Sequence, residues 1–286
     1  MRTTLPCIFG IICLLLPQLS YENNLFGNDT EGVIFSMVKI SVVVPVYNEE
    51  AIVRELHRRI VVALNRQPDP YEIIFVNDGS TDGTEEELSS LSPLKVIHLE
   101  RNCGQTPALD VGIREAKGDI IVLIDADLQN DPNDILPLLK KLSEGYDVVV
   151  GWRKERKDAT SRLIFSKIAN ATARYFFDLS IHDFGCGLKA YRSRFIRDFY
   201  LWGQAQVFLP AVAKERGAKI CEIPVRHNLR QAGSSKIPIL KMMRGSFNLL
   251  RVGFFVKYLK KPLSAYYKMG RYSPYPIRSI NNNEKK

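Results

Sequence analysis

The sequence lacks the cysteine patterns that mark zinc sites and disulfide frameworks. Its five cysteines, at positions 7, 13, 103, 186 and 221, form no C-x-x-C pair and leave an odd number. A structural zinc site and a disulfide-stapled fold are therefore both unsupported. A reducing, cytosolic setting is the simplest interpretation of these cysteines.

Acidic residues are nearly missing from the C-terminal stretch, where Glu284 is the only one after position 236. Lysines and arginines are frequent there, so the formal net charge of +9 is concentrated at this end of the chain. Such a basic end suits a nucleic acid, an anionic membrane surface, or solubility alone. The apolar pattern of the same stretch has to decide among them.

Long hydrophobic runs are also missing, and none after Pro262 is long enough to cross a bilayer. Near the N-terminus, residues 5–16 form an apolar run that is too short as well and has the length of a signal-peptide core. This run is a secretory signal, a weak membrane anchor, or translated sequence upstream of the true start. We favour the third interpretation, because Met37 opens directly onto the first predicted strand.

What the chain does have is an alternation of apolar runs with amphipathic stretches. Its 286 residues, of which 45% are hydrophobic, suffice for one large α/β domain. The alternation predicts β-α-β units on a mostly parallel sheet. Strands are predicted at 40–45, 71–76, 94–99 and 119–124, and helices near 50–65, 82–90 and 105–116.

Polar clusters follow three of these strands, at 45–50, 77–84 and 125–131. Ligands of parallel sheets bind at the carboxyl ends of the strands, so the clusters predict one site at one rim. In the third cluster, Asp125 and Asp127 are spaced to approach one divalent cation, with Gln129 as a further oxygen ligand. A cation held by few protein oxygens keeps positions open for substrate phosphates.

Each cluster alone also has a plainer interpretation. Asn, Asp, Ser and Gly are the residues that tight turns and helix starts prefer, and an isolated Asp-x-Asp is more simply an acidic turn. Three such clusters on neighbouring strand ends favour a functional site.

Taken in this order, with R-N-C-G-Q-T at 101–106 between them, the clusters resemble the family 2 glycosyltransferases of GT-A fold. Within that family the chain looks most like the polyprenyl-phosphate sugar transferases, such as dolichol-phosphate mannosyltransferase and the undecaprenyl-phosphate glycosyltransferases. The resemblance covers about Lys39 to Pro262. It extends through later segments at 150–153, 182–192, 222–225 and 233–236.

The resemblance implies metal-dependent, inverting transfer of a sugar from a GDP- or UDP-linked donor to a polyprenyl phosphate, dolichyl or undecaprenyl. On the donor side, Asp78 would read the base edge, and Asp125, Asp127 and Gln129 would hold Mg²⁺ or Mn²⁺ on the diphosphate. The residues implied in nucleotide binding are Pro45, Tyr47, Glu49, Asp78 and Asp125.

On the acceptor side, the resemblance implies Asp183 as the catalytic base, together with Arg153. A lipid monophosphate is already largely ionised near neutral pH, its second pKa being about 6, so cationic clamps can matter more than a base. An alternative for Asp183 is a structural cap or an arginine partner, and any one clamp could equally be a solvated surface cation. The candidate phosphate clamps, of which arginines suit bidentate contact best, are Arg153, Lys189, Arg192, Arg230 and Lys236.

Residues 238–259 are predicted to form a helix with a narrow basic stripe on an otherwise apolar circumference. The polar positions of the stripe, at spacings of three and four, are Lys241, Arg244, Asn248 and Arg251. This pattern suits a helix in the bilayer interface, and the alternative is a core helix that covers the sheet. Residues 161–177 are predicted to form a partner helix that flanks the lipid beside it.

The predicted organisation is a hydrophobic N-terminal extension (1–36), a GT-A catalytic domain (37–235), a basic membrane-surface helix (236–262) and a flexible basic tail (263–286). The polar end of the tail, from Asn281 onward, has a composition typical of disorder. We expect a peripheral enzyme on the cytoplasmic face of a membrane. Its expected partners are a nucleotide-sugar, a polyprenyl phosphate and an anionic membrane surface, without nucleic acid.

The chain departs from the family pattern at two places. Asn77 stands where relatives often have an acid, and Gln204, Gln206 and Val207 stand where close bacterial relatives tend to have Glu, His and Arg. Two alternatives therefore stay open: transfer to a saccharide or lipid head group, and a degenerate glycosyltransferase that acts as a scaffold. Processive polysaccharide synthesis is disfavoured because no Q-x-x-R-W motif is present. A nucleotidyltransferase would leave the basic apolar helix unexplained.

Overall fold

The computed structural model of the protein describes residues 39–154, 160–198, 200–201, 203–228, 239–263 and 275–284, with side chains at all of these except 160–165 and 239–246. These residues belong to one compact unit, Ser36–Lys286. The predicted extension at 1–36 lies outside the described residues.

An eight-stranded sheet forms the centre of the described part of the chain. Most strands are parallel, and β6 and β8 run antiparallel to their neighbours. In spatial order the sheet is β7-β5-β6-β4-β1-β2-β3-β8. The strands are β1 (Ile40–Val46), β2 (Tyr71–Asn77), β3 (Leu94–Leu99), β4 (Ile120–Leu123), β5 (Val148–Trp152), β6 (Lys189–Arg192), β7 (Ile220–Pro224) and β8 (Ile277–Asn283).

Helices cover both faces of this sheet. One core cluster contains side chains of α3, α5, α6 and α7, and the other contains side chains of α1, α2 and α4. Burial on both faces explains why β1 reads as a continuous apolar run instead of an alternating one. The helices are α1 (Val53–Leu64), α2 (Thr84–Ser89), α3 (Gln105–Glu115), α4 (Ile135–Ser143), α5 (Thr160–Phe177), α6 (Ala205–Glu215) and α7 (Ile239–Lys257).

The α/β fold predicted from the alternation is confirmed. Each strand and helix predicted between residues 40 and 124 is present, with boundaries that differ by at most a few residues. The helices predicted at 161–177 and 238–259 correspond to α5 and α7. Within the described ranges, no helix combines the length and apolar character that a bilayer crossing requires.

The expectation of a flexible tail at 263–286 is wrong for its last part. Residues Ile277–Asn283 form β8, which pairs antiparallel with β3 at the edge of the sheet. Backbone hydrogen bonds of a strand pair do not depend on apolar side chains, so a polar composition does not prevent pairing. The Asn283 side-chain amide also donates to the carbonyl oxygens of Leu88, Ser89 and Leu91, where α2 ends.

Helix α3 approaches the sheet closely because it carries Gly112. A Cβ atom at this position would overlap the side chain of Val43 and lie 3.1 Å from Val76 Cγ2. At this point the helix backbone packs directly on the side chains of Val43 in β1 and Val76 in β2. The N-terminus of the helix lies at the carboxyl end of β2, where the Gly104 N–H donates to Asp78.

We expect the substitution Gly112→Ala to destabilise the protein. Alanine normally favours a helix over glycine by about 1 kcal/mol, whereas overpacking a core costs about 1–3 kcal/mol. The overlap with the Val43 side chain is severe, so its cost should lie at the upper end of that range. It should outweigh the helix propensity and lower the free energy of unfolding by about 1–2 kcal/mol in urea denaturation. Val62→Ala, at an exposed position of α1, should change it by less than about 0.5 kcal/mol. A Gly112→Ala protein as stable as the parent would contradict this account of the packing.

Candidate active site

The carboxyl ends of β1, β2, β4, β5 and β7 all lie at one edge of the sheet, because these strands are mutually parallel. The antiparallel strand β6 begins at the same edge, where Lys189 pairs with Leu123. Residues that follow the parallel strands and residues that precede β6 therefore meet. The polar clusters predicted at 45–50, 77–84 and 125–131 all follow strands that end there.

The loops after β1 and β2 are tied to each other. Asn48 adopts a left-handed conformation, with φ of 54°, and its side-chain oxygen accepts the Thr81 N–H at 2.8 Å. The Asn48 N–H donates to Ser80 Oγ at 3.0 Å, and the Glu49 N–H donates to Thr84 Oγ1 at 2.9 Å. These bonds hold half-buried Glu49 beside the loop that begins at Asp78.

Asp78 is buried, and its two carboxylate oxygens accept the backbone N–H groups of Cys103 and Gly104 at 2.7 and 2.8 Å. Burial raises the pKa of Asp78, although the two backbone hydrogen bonds act in the opposite direction. In this structure Asp78 thus fixes the turn that opens α3. Its predicted contact with a base edge stays a prediction, as do the nucleoside contacts of Pro45, Tyr47 and Glu49.

Asp125 and Asp127 follow β4 as predicted, and both are partly exposed at the strand edge. Leu128, directly after Asp127, has a φ of 55° while its side chain is buried. A bulky residue in this region is strained by about 1 kcal/mol or more, and such strain is common where a loop is shaped for function. The turn brings the Gln129 N–H within 3.2 Å of Asp127 Oδ1.

Burial and the neighbouring charge of Asp127 raise the pKa of Asp125 to about 6. Two carboxylates held this close favour a positive charge between them. Among the residues that the structure describes, no group of three or more His, Cys, Asp or Glu side chains is placed to hold a metal. The predicted ligand set of two carboxylates and the Gln129 amide stays a prediction, and it would suit a hard cation that takes its other oxygens from substrate.

Sequence reasoning missed Gln105 as a partner of this pair. Its side-chain amide, at the start of α3, donates to Asp125 Oδ1 at 2.7 Å. The position of Gln105 in the sequence could have indicated this contact, because residues 101–105 follow β3 and so lie near the other clusters. The residue type gave no such indication, since glutamine is common on helix surfaces.

Arg153 and Asp183 form a bidentate ion pair beside Asp125. Arg153 Nε lies 2.7 Å from Asp183 Oδ2, and Arg153 Nη2 lies 2.9 Å from Asp183 Oδ1. The Asp183 side chain is only 4% exposed. Burial alone would lower the pKa of Arg153, but the hydrogen bond and charge of Asp183 raise it overall. Both carboxylate oxygens of Asp183 are thus engaged by the guanidinium.

Lys189 also lies near the carboxyl ends of the parallel strands, but its side chain is buried. Its ammonium donates to the backbone oxygens of Phe184 at 2.9 Å and Gln206 at 3.2 Å, and burial lowers its pKa to about 8. The lysine therefore ties the loop before β6 to α6. Gln206, one of the residues that departs from the family pattern, also accepts a hydrogen bond from Thr106 Oγ1 through its side chain.

The prediction that Arg192 belongs to the acceptor site is wrong. Strand β6 is antiparallel to β4, so Arg192 pairs with Ile120 at the start of that strand while Lys189 pairs with its end. The side chain of Arg192 donates to Leu142 O at 3.1 Å and lies 3.7 Å from Asp147. Arg192 therefore lies at the amino ends of the parallel strands, on the side of the sheet away from Asp125 and Asp127. The other two clamp candidates, Arg230 and Lys236, lie outside the described residues.

Gly187 is a further site residue that sequence reasoning did not single out. A Cβ atom there would overlap the Asp125 carboxylate. The loop between Asp183 and Leu188 therefore reaches Asp125 because it has no side chain at this point. No spacing rule predicts this, because the two residues are distant in sequence.

The model of Glycosyl transferase family 2 matches residues 41–199. The chain belongs to this family. The chain is 38% identical over 241 residues to dodecaprenyl-phosphate galacturonate synthase of Rhizobium johnstonii, covering 79% of this chain and 69% of that protein. It is 36% identical over 216 residues to undecaprenyl-phosphate 4-deoxy-4-formamido-L-arabinose transferase of Edwardsiella ictaluri, covering 74% of this chain and 66% of the relative.

Solved structures of low sequence identity share the fold of this family 2 member. The structure of glucosyl-3-phosphoglycerate synthase from Mycobacterium tuberculosis with Mn²⁺, UDP and phosphoglyceric acid matches with a TM-score of 0.60 at 20% identity, over 77% of this chain and 78% of that one. The resemblance inferred from the residues, to family 2 glycosyltransferases of GT-A fold, is confirmed. The chain spans about two thirds of the length of the polyprenyl-phosphate relatives that it matches.

We expect the substitution Gly187→Ala to abolish binding of the nucleotide-sugar donor in the presence of Mn²⁺. The added methyl group would displace either the Asp125 carboxylate or the loop that carries Asp183. Gly185→Ala is the matched control in the same loop, since a Cβ atom there would meet its nearest neighbour, Arg153 Nη2, at 3.5 Å. Isothermal titration calorimetry with UDP- and GDP-sugars measures both variants. Equal donor affinity in the parent and in Gly187→Ala would contradict the proposed contact.

Proposed function

We propose that the protein transfers a sugar from a nucleoside-diphosphate donor to a polyprenyl monophosphate, with inversion at the anomeric carbon. The observation that carries this proposal is the arrangement at one strand edge. The Asp125 and Asp127 carboxylates lie there beside Arg153, so a site for a diphosphate-bound cation adjoins a site for a second anion. The polyprenyl-phosphate transferases among the relatives support the same assignment.

On the donor side, Asp125, Asp127 and Gln129 would hold Mg²⁺ or Mn²⁺. Such a cation, when bound, neutralises charge that develops on a departing diphosphate. Gln105 orients the Asp125 carboxylate through its hydrogen bond, and Gly187 leaves room for that carboxylate. The loops held by Asn48 and Asp78 would form the walls of the nucleoside slot around Pro45, Tyr47 and Glu49.

On the acceptor side, an oxygen of the lipid phosphate attacks the anomeric carbon of the sugar. A carbon–oxygen bond forms as the bond to the nucleoside diphosphate breaks, and the diphosphate leaves with the electron pair. A phosphate dianion has no proton to lose, so this step needs no base. We propose that Arg153 contacts the phosphate. Asp183 would orient the Arg153 guanidinium, because both oxygens of Asp183 accept hydrogen bonds from it.

Helices α5 and α7 support a position at the membrane surface. Exposed apolar side chains recur at helical spacing along α7 and at the residue that follows it: Phe247, which is 70% exposed, Leu250, Phe254 and Tyr258. The opposite side of α7 is buried in the core through Leu249 and Val252. One side of the helix thus covers the sheet, as in the alternative of a core helix. The other side is apolar and exposed. The side chains of Lys241 and Arg244 lie outside the described set.

Helix α5 extends this apolar surface. Its Tyr175 hydroxyl lies 2.9 Å from the Tyr258 hydroxyl, and Lys257 Nζ donates to Tyr175 O at 2.7 Å. Ile168 and Tyr175 are exposed on it. Aromatic and aliphatic groups beside lysines suit the boundary between headgroups and acyl chains. We place the enzyme at the cytoplasmic face, which the free thiols of the described cysteines fit.

A transfer assay tests the proposed reaction. The full chain is incubated with Mn²⁺, a short-chain polyprenyl phosphate and a panel of labelled UDP- and GDP-sugars, and label that moves into the organic phase is counted. Transfer from one donor fixes the base, the sugar and the reaction class together. Donor binding without transfer to any polyprenyl phosphate would contradict the proposal and favour a saccharide or head-group acceptor, or a scaffold.

In the same assay we expect Asp127→Asn to lower the turnover number by about 10²–10³-fold, the usual effect of removing one electrostatic group from an active site. Thermal unfolding should be nearly unchanged, because Asp127 is partly exposed at a strand end. Asp69→Asn, which removes an exposed carboxylate paired with Lys39, serves as the control and should keep full activity. Equal turnover in Asp127→Asn would refute its assignment as a cation ligand.

The membrane surface is tested with vesicles that contain an anionic phospholipid. We expect the double substitution Phe247→Glu with Phe254→Glu to weaken co-sedimentation at least about tenfold, since burial of each phenylalanine contributes about 1.5–3 kcal/mol. Val62→Glu, an exposed apolar position on α1 in the opposite helix layer, should bind vesicles like the parent. Unchanged co-sedimentation of the double variant would contradict the assigned surface.

A further inference from the structure

Glu222 is a buried carboxylate that the proposed reaction does not use directly. It lies in the middle of β7, the strand at one edge of the sheet, and its side chain is only 6% exposed. The sequence E-I-P-V at 222–225 contributes to the family resemblance without an assigned role. A carboxylate is rarely buried unless its oxygens accept hydrogen bonds.

Among the described residues, the hydrogen-bond partners of Glu222 are His182 and Asp183. Glu222 Oε1 accepts the backbone N–H groups of His182 at 2.9 Å and Asp183 at 2.8 Å. Its Oε2 lies 2.8 Å from His182 Nδ1 and 3.0 Å from the His182 backbone nitrogen. The His182 ring stacks on Trp152, with ring centroids 4.5 Å apart and an angle of 19° between the planes.

These contacts fix the backbone where the loop before β6 begins. Beyond this point the loop pairs Asp183 with Arg153, supplies Phe184 O to Lys189, and passes Gly187 against Asp125. Trp152, which supports the His182 ring, directly precedes Arg153 in the chain. Both members of the Arg153–Asp183 ion pair are therefore held from behind by the same small cluster.

We propose that Glu222 is a positioning residue for sugar transfer, which sets the Arg153–Asp183 pair beside Asp125 by anchoring the backbone of His182 and Asp183. This inference rests on the proposed function, in which Arg153 contacts the acceptor phosphate. Glu222 acts through the two backbone amides that its Oε1 accepts. Its negative charge is not the active feature.

The geometry gives a conservative variant that separates these roles. Glutamine at position 222 keeps Oε1 and with it both backbone hydrogen bonds, whereas alanine removes them. We expect Glu222→Ala to lower the turnover number of the transfer assay about tenfold to hundredfold, as small misplacements of catalytic groups do. Glu222→Gln should stay within about threefold of the parent. Donor affinity should change less than the turnover number in either variant, because Glu222 contacts His182 and Asp183 and not the donor-side carboxylates.

Glu215→Ala is the matched control for loss of a carboxylate that accepts a backbone amide. Both oxygens of Glu215 accept the Leu263 N–H, at 2.8 and 2.9 Å, at the C-terminal end of α6. This variant should lose thermal stability and keep its turnover number. A drop in turnover equal to that of Glu222→Ala would show that general loosening explains both, and would overturn the proposal.

Two measurements test the route through Asp183. In an Asp183→Asn background, Glu222→Ala should add little further loss, because the pair that it positions is already broken. Amide hydrogen exchange at His182 and Asp183 should accelerate in Glu222→Ala and not in Glu222→Gln. Multiplicative kinetic effects, unchanged exchange, or a Glu222→Gln protein as impaired as Glu222→Ala would each overturn the inference. If the parent transfers no sugar, the proposed function fails while the exchange data still decide whether Glu222 anchors the loop.

Discussion

The site depends on one electrostatic constraint, the crowding of negative charge at Asp125. This carboxylate is partly buried and lies next to Asp127, and its pKa is raised to about 6 as a result. Three neighbouring groups accommodate this negative charge. Gln105 donates to the carboxylate, Arg153 lies beside it, and the loop at Gly187 closes over it without a side chain. A site balanced in this way is suited to a cation that arrives with its substrate.

Much of the fold could be predicted because periodicity and strand ends carry physical information. Apolar runs buried on both faces are recognisable as parallel strands, and the residues after them must meet at one edge. Asp125 and Asp127 were placed by this reasoning alone. The N-terminal half of the sheet, where each strand is followed by its helix, is accordingly the half that the sequence predicts best.

The rest depended on contacts between residues that are far apart in the chain. Arg192 and Lys189 look alike as candidate clamps, and only the direction of β6 separates them. Gly187 matters because it has no side chain, and Glu222 accepts backbone N–H groups. Neither residue type indicates a functional site in a sequence. The strand at Ile277–Asn283 was not predicted, because it is held by backbone hydrogen bonds to β3 and by the side-chain contacts of Asn283. Amino-acid composition gives no information on either contact.

The reversed strand β6 brings an entering chain segment to the place where the parallel strands end. Donor-side residues come from loops that leave parallel strands, whereas Asp183, Gly187 and Lys189 come from a segment that enters the sheet. The site is thus built by chain segments of both directions, which meet at the Asp125–Gly187 contact and at the Arg153–Asp183 ion pair. A change of length or sequence in the entering segment therefore alters the surroundings of Asp125 and of Arg153 together.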